Sequence, residues 1–457
     1  MLACRAHACR VAVWARWFGG GWAVVEVNLE TLFAWAGPIG VQRKPCMKTA
    51  SVAGDDCAHG GQARYSLRSD PSRPRQLSVG SIAISGLKFN RRMNMARIIS
   101  VFNNKGGVGK STICWNLGHA LGAQDKKVLL VDFDPQCNLS IAVLGEEGFV
   151  KNLPQANQPY GTTIRSFLQR FLQNTGGEEV FLHKGRHTST NVDLVAGDFW
   201  LNVYADSLNV GNDLLAGTGL SRYVALRRLV AKAEERAGYK YDFVLVDLPP
   251  SFGALVRASF YSSDYYIVPC TSDNFSVYCV GLIGQMVPAF VNDWNTGLSR
   301  FKATNPHFHE FDQLGCPVFA GWVFNGFDTA SKRRNAIEMG SHPKGPKEMI
   351  QADRTMHERL ERAVREDLVA PLSQKISTYI PVAEALPTNF RVGDIEDANV
   401  LIQNSIWLSV PLGELEQHNQ VASLRDRRGW NDNQAEQIRL FKRKFDETAA
   451  KLIAICL

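Results

Sequence analysis

RIISVFNNKGGVGKST, residues 97–112, passes from a largely apolar run through a glycine-rich turn to the first residues of a helix. Such a strand, loop and helix make a phosphate cradle. Gly106, Gly107 and Gly109 let backbone N–H groups approach phosphate oxygens with no Cβ in the way, and the helix presents its positive end. Lys110 adds a compact charge for the terminal phosphates and Ser111 a hydroxyl for Mg²⁺. Asn104 stands where the pattern GxxxxGK[ST] has its first glycine, and Lys105 supplies a second lysine. Asn104, Lys105, Gly106, Gly107, Val108, Gly109, Lys110, Ser111 and Thr112 are therefore the candidate nucleotide-binding loop.

Working outward, KVLLVDF (127–133), DFVLVDL (242–248), DYYIVP (264–269) and PVFAGWVFN (317–325) are nearly continuous in apolar residues, as suits strands covered on both faces. Helix-length stretches lie between them at 111–123, 220–238 and 274–294. The alternation predicts an α/β fold, a doubly wound, mostly parallel sheet flanked by helices, with ligands outside the carboxyl ends of the strands. Residues 296–316 and 326–348, rich in Pro, Gly, Asn and Lys, read as surface excursions. In the last segment Ile438, Phe441, Phe445, Ala449 and Leu452 recur at helical spacing, which predicts a core-packing terminal helix; a membrane-surface helix is the alternative.

Composition excludes several classes. Of 457 residues, 45% are hydrophobic and 21% charged, which excludes collagen-like, wholly disordered and polytopic membrane chains. The net charge of +7 is unevenly placed: residues 1–94 hold 13 basic and 5 acidic side chains, the rest 38 and 39. The body is thus close to neutral and advertises no broad basic face. Ten cysteines without a CxxC pair predict reduced thiols and a cytoplasmic setting, and His307 and His309 read as surface histidines rather than metal ligands.

Residues 1–94 show no sustained strand or helix period, and Arg16, Glu26 and Glu30 argue against a secretory signal despite AWA at 34–36. They read as a disordered or spurious N-terminal extension preceding a domain over 95–457, with translation expected to begin near Met93 or Met95.

KGGVGKS with its early lysine resembles the deviant Walker A loop of the ParA/Soj/MinD ATPases. VLLVDFDPQCNLS (128–140), YDFVLVDLPPSFG (241–253) and SSDYYIVPCTSDNFSVYCVGL (262–282) resemble further motifs of that family in the same order, and YIPVAEA (379–385) is a fainter likeness. The resemblance runs over about 95–455. It implies a P-loop ATPase that binds ATP and Mg²⁺ and dimerises around the nucleotide. Lys110 would bind the β- and γ-phosphates, and Lys105 would reach the partner subunit's phosphates. Ser111 would ligate Mg²⁺, Asp247 would hold the metal's water shell, and Asp134, also near the metal, would orient the attacking water. Asp132 would be structural. Asn325 resembles an asparagine that the MinD branch places on adenine. Two departures stand out: Ser111 replaces the commoner threonine, and Cys137 replaces a glycine, which implies a backbone avoiding positive φ there.

The implied function is a dimerising ATPase switch in plasmid or chromosome partition. Its ATP dimer would bind DNA without sequence preference, and a site-specific DNA-binding adaptor would stimulate hydrolysis. Candidate DNA contacts are Lys332, Arg333 and Arg334; Arg425, Arg427 and Arg428; or Lys442 to Lys444. The alternative is a MinD-like ATPase at a membrane or on a positioned cargo, which DPQ after Phe133 disfavours. A metabolic enzyme on a related scaffold, such as an iron–sulfur reductase with Cys270 as ligand or an amide-forming ligase, is the third reading.

Overall fold

The computed structural model describes residues 10–16, 22–28, 95–209, 219–331, 347–398, 400–421 and 429–457. The chain divides into two units, Met1–Ser85 and Gly86–Leu457. In the first, strands β1 (Arg10–Arg16) and β2 (Trp22–Asn28) pair antiparallel, with Arg10 opposite Asn28 and Arg16 opposite Trp22. No strand was expected there. Its signal is the five-residue WFGGG between two β-prone runs, a hairpin spacing hidden among Trp and Arg. The remainder of 1–94 lies outside the described residues, and with it the expected disorder.

The second unit is built on a seven-stranded sheet of order β11-β8-β7-β3-β6-β4-β5, in which every pairing is parallel. Its strands are β3 (Arg97–Val101), β4 (Val128–Asp132), β5 (Val192–Val195), β6 (Phe243–Asp247), β7 (Tyr265–Thr271), β8 (Val318–Phe327) and β11 (Arg391–Glu396). Five were expected from apolar runs. The two edge strands, β5 and β11, were not: VDLV is too short and RVGDIE too polar to stand out as apolar runs.

The continuous apolar runs resolve into two cores by the strand period of two. Ile98, Leu129, Val131, Val244 and Val246 face one side with helices Ala225–Ala237, Ala254–Ser262 and Asn274–Thr304. Ile99, Val101, Val128, Leu130 and Leu245 face the other with helices Lys110–Ala123 and Asp432–Cys456. The terminal helix packs into that second core as expected, with Ile438, Phe441, Phe445, Ala449 and Leu452 all buried, and it starts from an Asn431/Gln434 capping box.

Helix Asn274–Thr304 overruns its expected end by ten residues, so 296–304 is helical and not a loop. Buried Trp294 and Gly297, followed by the partly buried Leu298 and Phe301, carry the packed face through the Asn-Thr-Gly stretch at 295–297. By length and composition this helix is apolar enough to cross a membrane, yet Ile283, Val287, Phe290 and Trp294 lie in the core. Beyond β8, β9 (Thr329–Ser331) pairs antiparallel with β10 (Lys347–Met349). Lys332, Arg333 and Arg334, and Arg425, Arg427 and Arg428, lie outside the described residues.

Candidate nucleotide site

The carboxyl end of β3 lies between β6 and β7, and the loop that leaves it is tied to β7. Phe102 N donates to Ile267 O (3.0 Å), and the buried Asn103 side chain donates to Pro269 O (2.7 Å) while its Oδ1 accepts from Lys105 N (2.9 Å). Gly107 and Gly109 have φ of +74° and +78°, a region where a Cβ meets the following carbonyl oxygen. At Gly109 a Cβ would also lie 2.6 Å from Asn325 Nδ2, so glycine answers both the turn and the close approach.

The loop opens on a cleft of about 340 Å³. Gly106, Gly107, Gly109, Lys110, Ser111 and Thr112 line its floor, Asp134, Gln136 and Asn138 one wall, and Ile402, Ser405 and Ile406 contribute to another. That last group comes from helix Val400–Leu408, which sequence reasoning missed; the pair Ile402/Ile406 at i, i+4 is its only local signal. Asn104, Lys105, Val108 and Asn325 do not line the cleft. Asn325 instead braces the loop from β8, donating to Val108 O at 3.1 Å.

Behind the floor, Asp132 and Asp247 end neighbouring strands in direct register. Both are fully buried. Burial pushes Asp247 well above the ordinary carboxylate range and the charge of Asp132 adds to it, with the Ser111 hydroxyl and Lys110 ammonium countering in part. Neither Asp247 oxygen has a hydrogen-bond partner of its own. The Lys110 ammonium donates to Lys105 O (3.0 Å); burial lowers its pKa against the pull of Asp247 and Asp134. An orphaned carboxylate beside a serine hydroxyl is a hard-oxygen donor set, which fits Mg²⁺.

Asp132 holds a joint. Its Oδ2 accepts from Ser140 N (2.8 Å) and Ser140 Oγ (2.6 Å), and that same hydroxyl accepts from Gly197 N (2.8 Å). Burial nonetheless raises its pKa to about 7. Between the ordinary carboxylate value and about 7 the folded chain therefore keeps a proton that the unfolded chain has lost, so this group's contribution to stability declines as pH rises through that window. Asp132→Asn, which keeps an acceptor without the charge, should gain stability relative to wild type as pH goes from 4 to 7, by at most about 1.4 kcal/mol per pH unit. Urea titrations of both proteins at pH 5 and 7.5 measure it; a pH-independent difference would exclude the assignment.

Asp134 lines the cleft, with its Oδ1 accepting from Gln136 N (2.9 Å) and its pKa raised by burial against the opposing charge of Lys110. Cys137 corrects an expectation: its φ is +57°, the left-handed region it was expected to avoid. Cys137 N donates to Asp134 O (2.9 Å), closing a turn that leads into helix Asn138–Leu144. That bond and full burial of the side chain outweigh a backbone cost of roughly 1–2 kcal/mol. Burial also pushes the Cys137 thiol up, so it stays protonated.

Lys105 points away from the cleft. Its ammonium donates to Thr271 Oγ1 (2.7 Å) and pairs with Asp273, with Ser276 Oγ at 3.4 Å. Elsewhere, His309 is exposed and pairs with Asp312, Lys442 pairs with Glu414 (2.8 Å), and Lys444 with Glu447 (3.6 Å).

Comparison with known proteins places this geometry. Residues 96–299 match the family model described as an AAA domain. An uncharacterized protein of Methanocaldococcus jannaschii is 29% identical over 186 residues, 41% of this chain and 63% of its own length. The chromosome-partitioning ATPase Soj of Treponema pallidum is 28% identical over 205 residues, 45% of this chain and 69% of its own. The chain thus spans roughly two thirds of the length of these relatives. A solved structure, protein DIP2308 from Corynebacterium diphtheriae, shares the fold at 21% identity and a TM-score of 0.50, covering 68% of this chain and 97% of that one. With two lysines in a glycine loop and two strand-end aspartates behind it, residues 96–299 match that AAA-domain model, and the chain is similar to the chromosome-partitioning proteins Soj and ParA.

Proposed function

We propose that the chain is an ATP-hydrolysing switch: ATP with Mg²⁺ seats in the cleft, two subunits close around two nucleotides, and hydrolysis parts them. The observation that carries this is the convergence of Lys110, Ser111, Asp134 and the orphaned Asp247 at the carboxyl ends of β3, β4 and β6. Phosphoryl transfer needs charge neutralisation and a placed nucleophile more than covalent chemistry. Loop N–H groups and Lys110 hold the terminal phosphates. Ser111 would ligate Mg²⁺ and Asp247 would hold its water shell; when bound, the metal would supply neutralisation of phosphate charge. Asp134, at the open wall, accepts a hydrogen bond from the attacking water and aligns it with the γ-phosphate. The apolar side chains of Ile402 and Ile406 exclude water from the rest of the nucleotide.

The biological output would be partition of DNA or another positioned cargo in the cytoplasm, with non-specific DNA binding by the ATP dimer and an adaptor that stimulates hydrolysis. For the terminal-helix cluster to contact DNA, Lys442 would exchange its surface pair with Glu414, and Lys444 its pair with Glu447, for phosphates. Burial of the terminal helix's apolar face disfavours the membrane alternative.

Lys105→Ala is the test, because the proposed role of this lysine exists only between two subunits. The variant should bind ATP within about threefold of wild type as a monomer, yet fail to dimerise, fail to hydrolyse and lose ATP-dependent DNA binding. Light scattering with a slowly hydrolysed ATP analogue and duplex-DNA binding across a salt series measure these. Normal turnover by the variant would refute the two-subunit reading.

A further inference from the structure

The lysine that the proposed switch needs between subunits is held within its own subunit. Lys105 has 20% of its side chain exposed, and its ammonium faces three oxygen acceptors: Thr271 Oγ1, the Asp273 carboxylate and Ser276 Oγ. An ammonium has three donors, so the set satisfies it fully. The acceptors are organised among themselves. Thr271 Oγ1 donates to Asp273 Oδ2 (2.7 Å), Thr271 N donates to Ser276 Oγ (3.2 Å), and Asp273 Oδ1 caps helix Asn274–Thr304 by accepting from Ser276 N (2.9 Å). This is the segment CTSDNFS, which the nucleotide chemistry leaves unused.

Only the side chain of Lys105 is free to move. Its backbone is pinned through Asn103, whose amide bonds to Pro269 O on the same strand that carries Thr271. A swing of the side chain exchanges one carboxylate and two hydroxyls for whatever anion stands outside.

We propose that Asp273, with Thr271 and Ser276, is a positioning residue that latches Lys105 inside its own subunit and thereby sets the ATP level at which two subunits join. The inference rests on the two-subunit reading above. Closure requires each Lys105 to leave Asp273, so the free energy of that pairing is subtracted from closure. A γ-phosphate, carrying more charge than a single carboxylate, outbids the latch; ADP has none to offer. The shift a ligand produces equals its differential interaction with the two states, and here that difference resides in the γ-phosphate alone. The latch thus raises the ATP level needed for closure without touching the nucleotide, while the γ-phosphate alone supplies the discrimination from ADP.

Asp273→Asn tests it, since the amide oxygen still caps Ser276 N while the carboxylate charge that holds Lys105 is removed. The first measurement needs no dimer: site-resolved labelling of the nucleotide-free protein with an amine-reactive reagent, read by mass spectrometry. Lys105 should label at least about threefold faster in the variant than in wild type. In the second, the concentration of a slowly hydrolysed ATP analogue giving half-maximal dimer by light scattering should fall about three- to tenfold, while ADP affinity stays unchanged. Thr271→Val, which leaves the cap and the charge in place, should shift both readouts the same way by less. A merely structural role for Asp273 would lower the melting temperature and weaken both nucleotides alike. Unchanged Lys105 labelling overturns the latch whatever the dimer does. Faster labelling in a protein whose wild type never dimerises with the analogue overturns the two-subunit reading, and the threshold proposal falls with it.

Discussion

Lys110→Ala is expected to lower affinity for ATP by at least about 100-fold, or roughly 2.7 kcal/mol. Hydrogen bonds to charged groups contribute about 1.5–3 kcal/mol each, and among the described residues Lys110 is the one side-chain cation lining the cleft. The protein already bears the cost of burying this ammonium, which is held against Asp247 and Asp134. Removing it leaves two buried carboxylates without their nearest counter-charge, so their pKa values should rise further and the empty cleft should be less hospitable to an anion. Titration with a fluorescent ATP analogue measures the loss, and a melting curve without nucleotide checks that the variant folds. Unchanged affinity in a folded variant would remove Lys110 from the phosphate site, and with it the reading of 104–112 as a nucleotide loop.

Asp134→Ala should behave in the opposite way, binding ATP within a few-fold of wild type while losing about 10²–10⁴ in turnover, the usual worth of a positioned proton acceptor. Size-exclusion chromatography with ATP should then show a persistent dimer. The backbone bond from Cys137 N to Asp134 O does not involve the side chain, so the turn survives the change. Asp134→Asn retains the acceptor for Gln136 N, and its turnover should also collapse if the charge acts on the water and not on the turn. A variant with normal turnover, or one that stays monomeric with ATP absent from the cleft, would assign Asp134 to structure alone.

The two variants separate the floor of the cleft from its wall. That separation was legible in the amino-acid sequence because both parts are local: the loop, its lysine and the strand preceding it occupy sixteen consecutive residues, and Asp134 and Asp247 each follow an apolar run that ends at the same edge of a parallel sheet. Positive φ at Gly107 and Gly109 is likewise a local demand, met by the one residue type that meets it without cost.

Elsewhere local signals fell short or misled. The edge strands β5 and β11 become strands because a neighbour offers them a ladder, not because VDLV or RVGDIE is strongly β-prone. Cys137 takes a left-handed backbone because the turn around Asp134 demands it and burial holds it there. The wall formed by Ile402 and Ile406 comes from the far end of the chain, and Asn325, which resembles a base contact by motif, is held to the loop at Val108 by the position of β8.

What the sequence determined by itself is the class of sheet, the phosphate loop and the chemistry of its residues, since these depend on hydrophobic period, on glycine's freedom at positive φ and on charge within one or two elements. What only the tertiary structure decided is the company those residues keep: Lys105 with Asp273, 168 positions apart, Asp247 buried beside Asp132, and the apolar wall facing the loop. The physical reason is that a parallel sheet gathers the carboxyl ends of strands distant in the chain, so the partner of each loop residue is set by strand order, which no local pattern encodes.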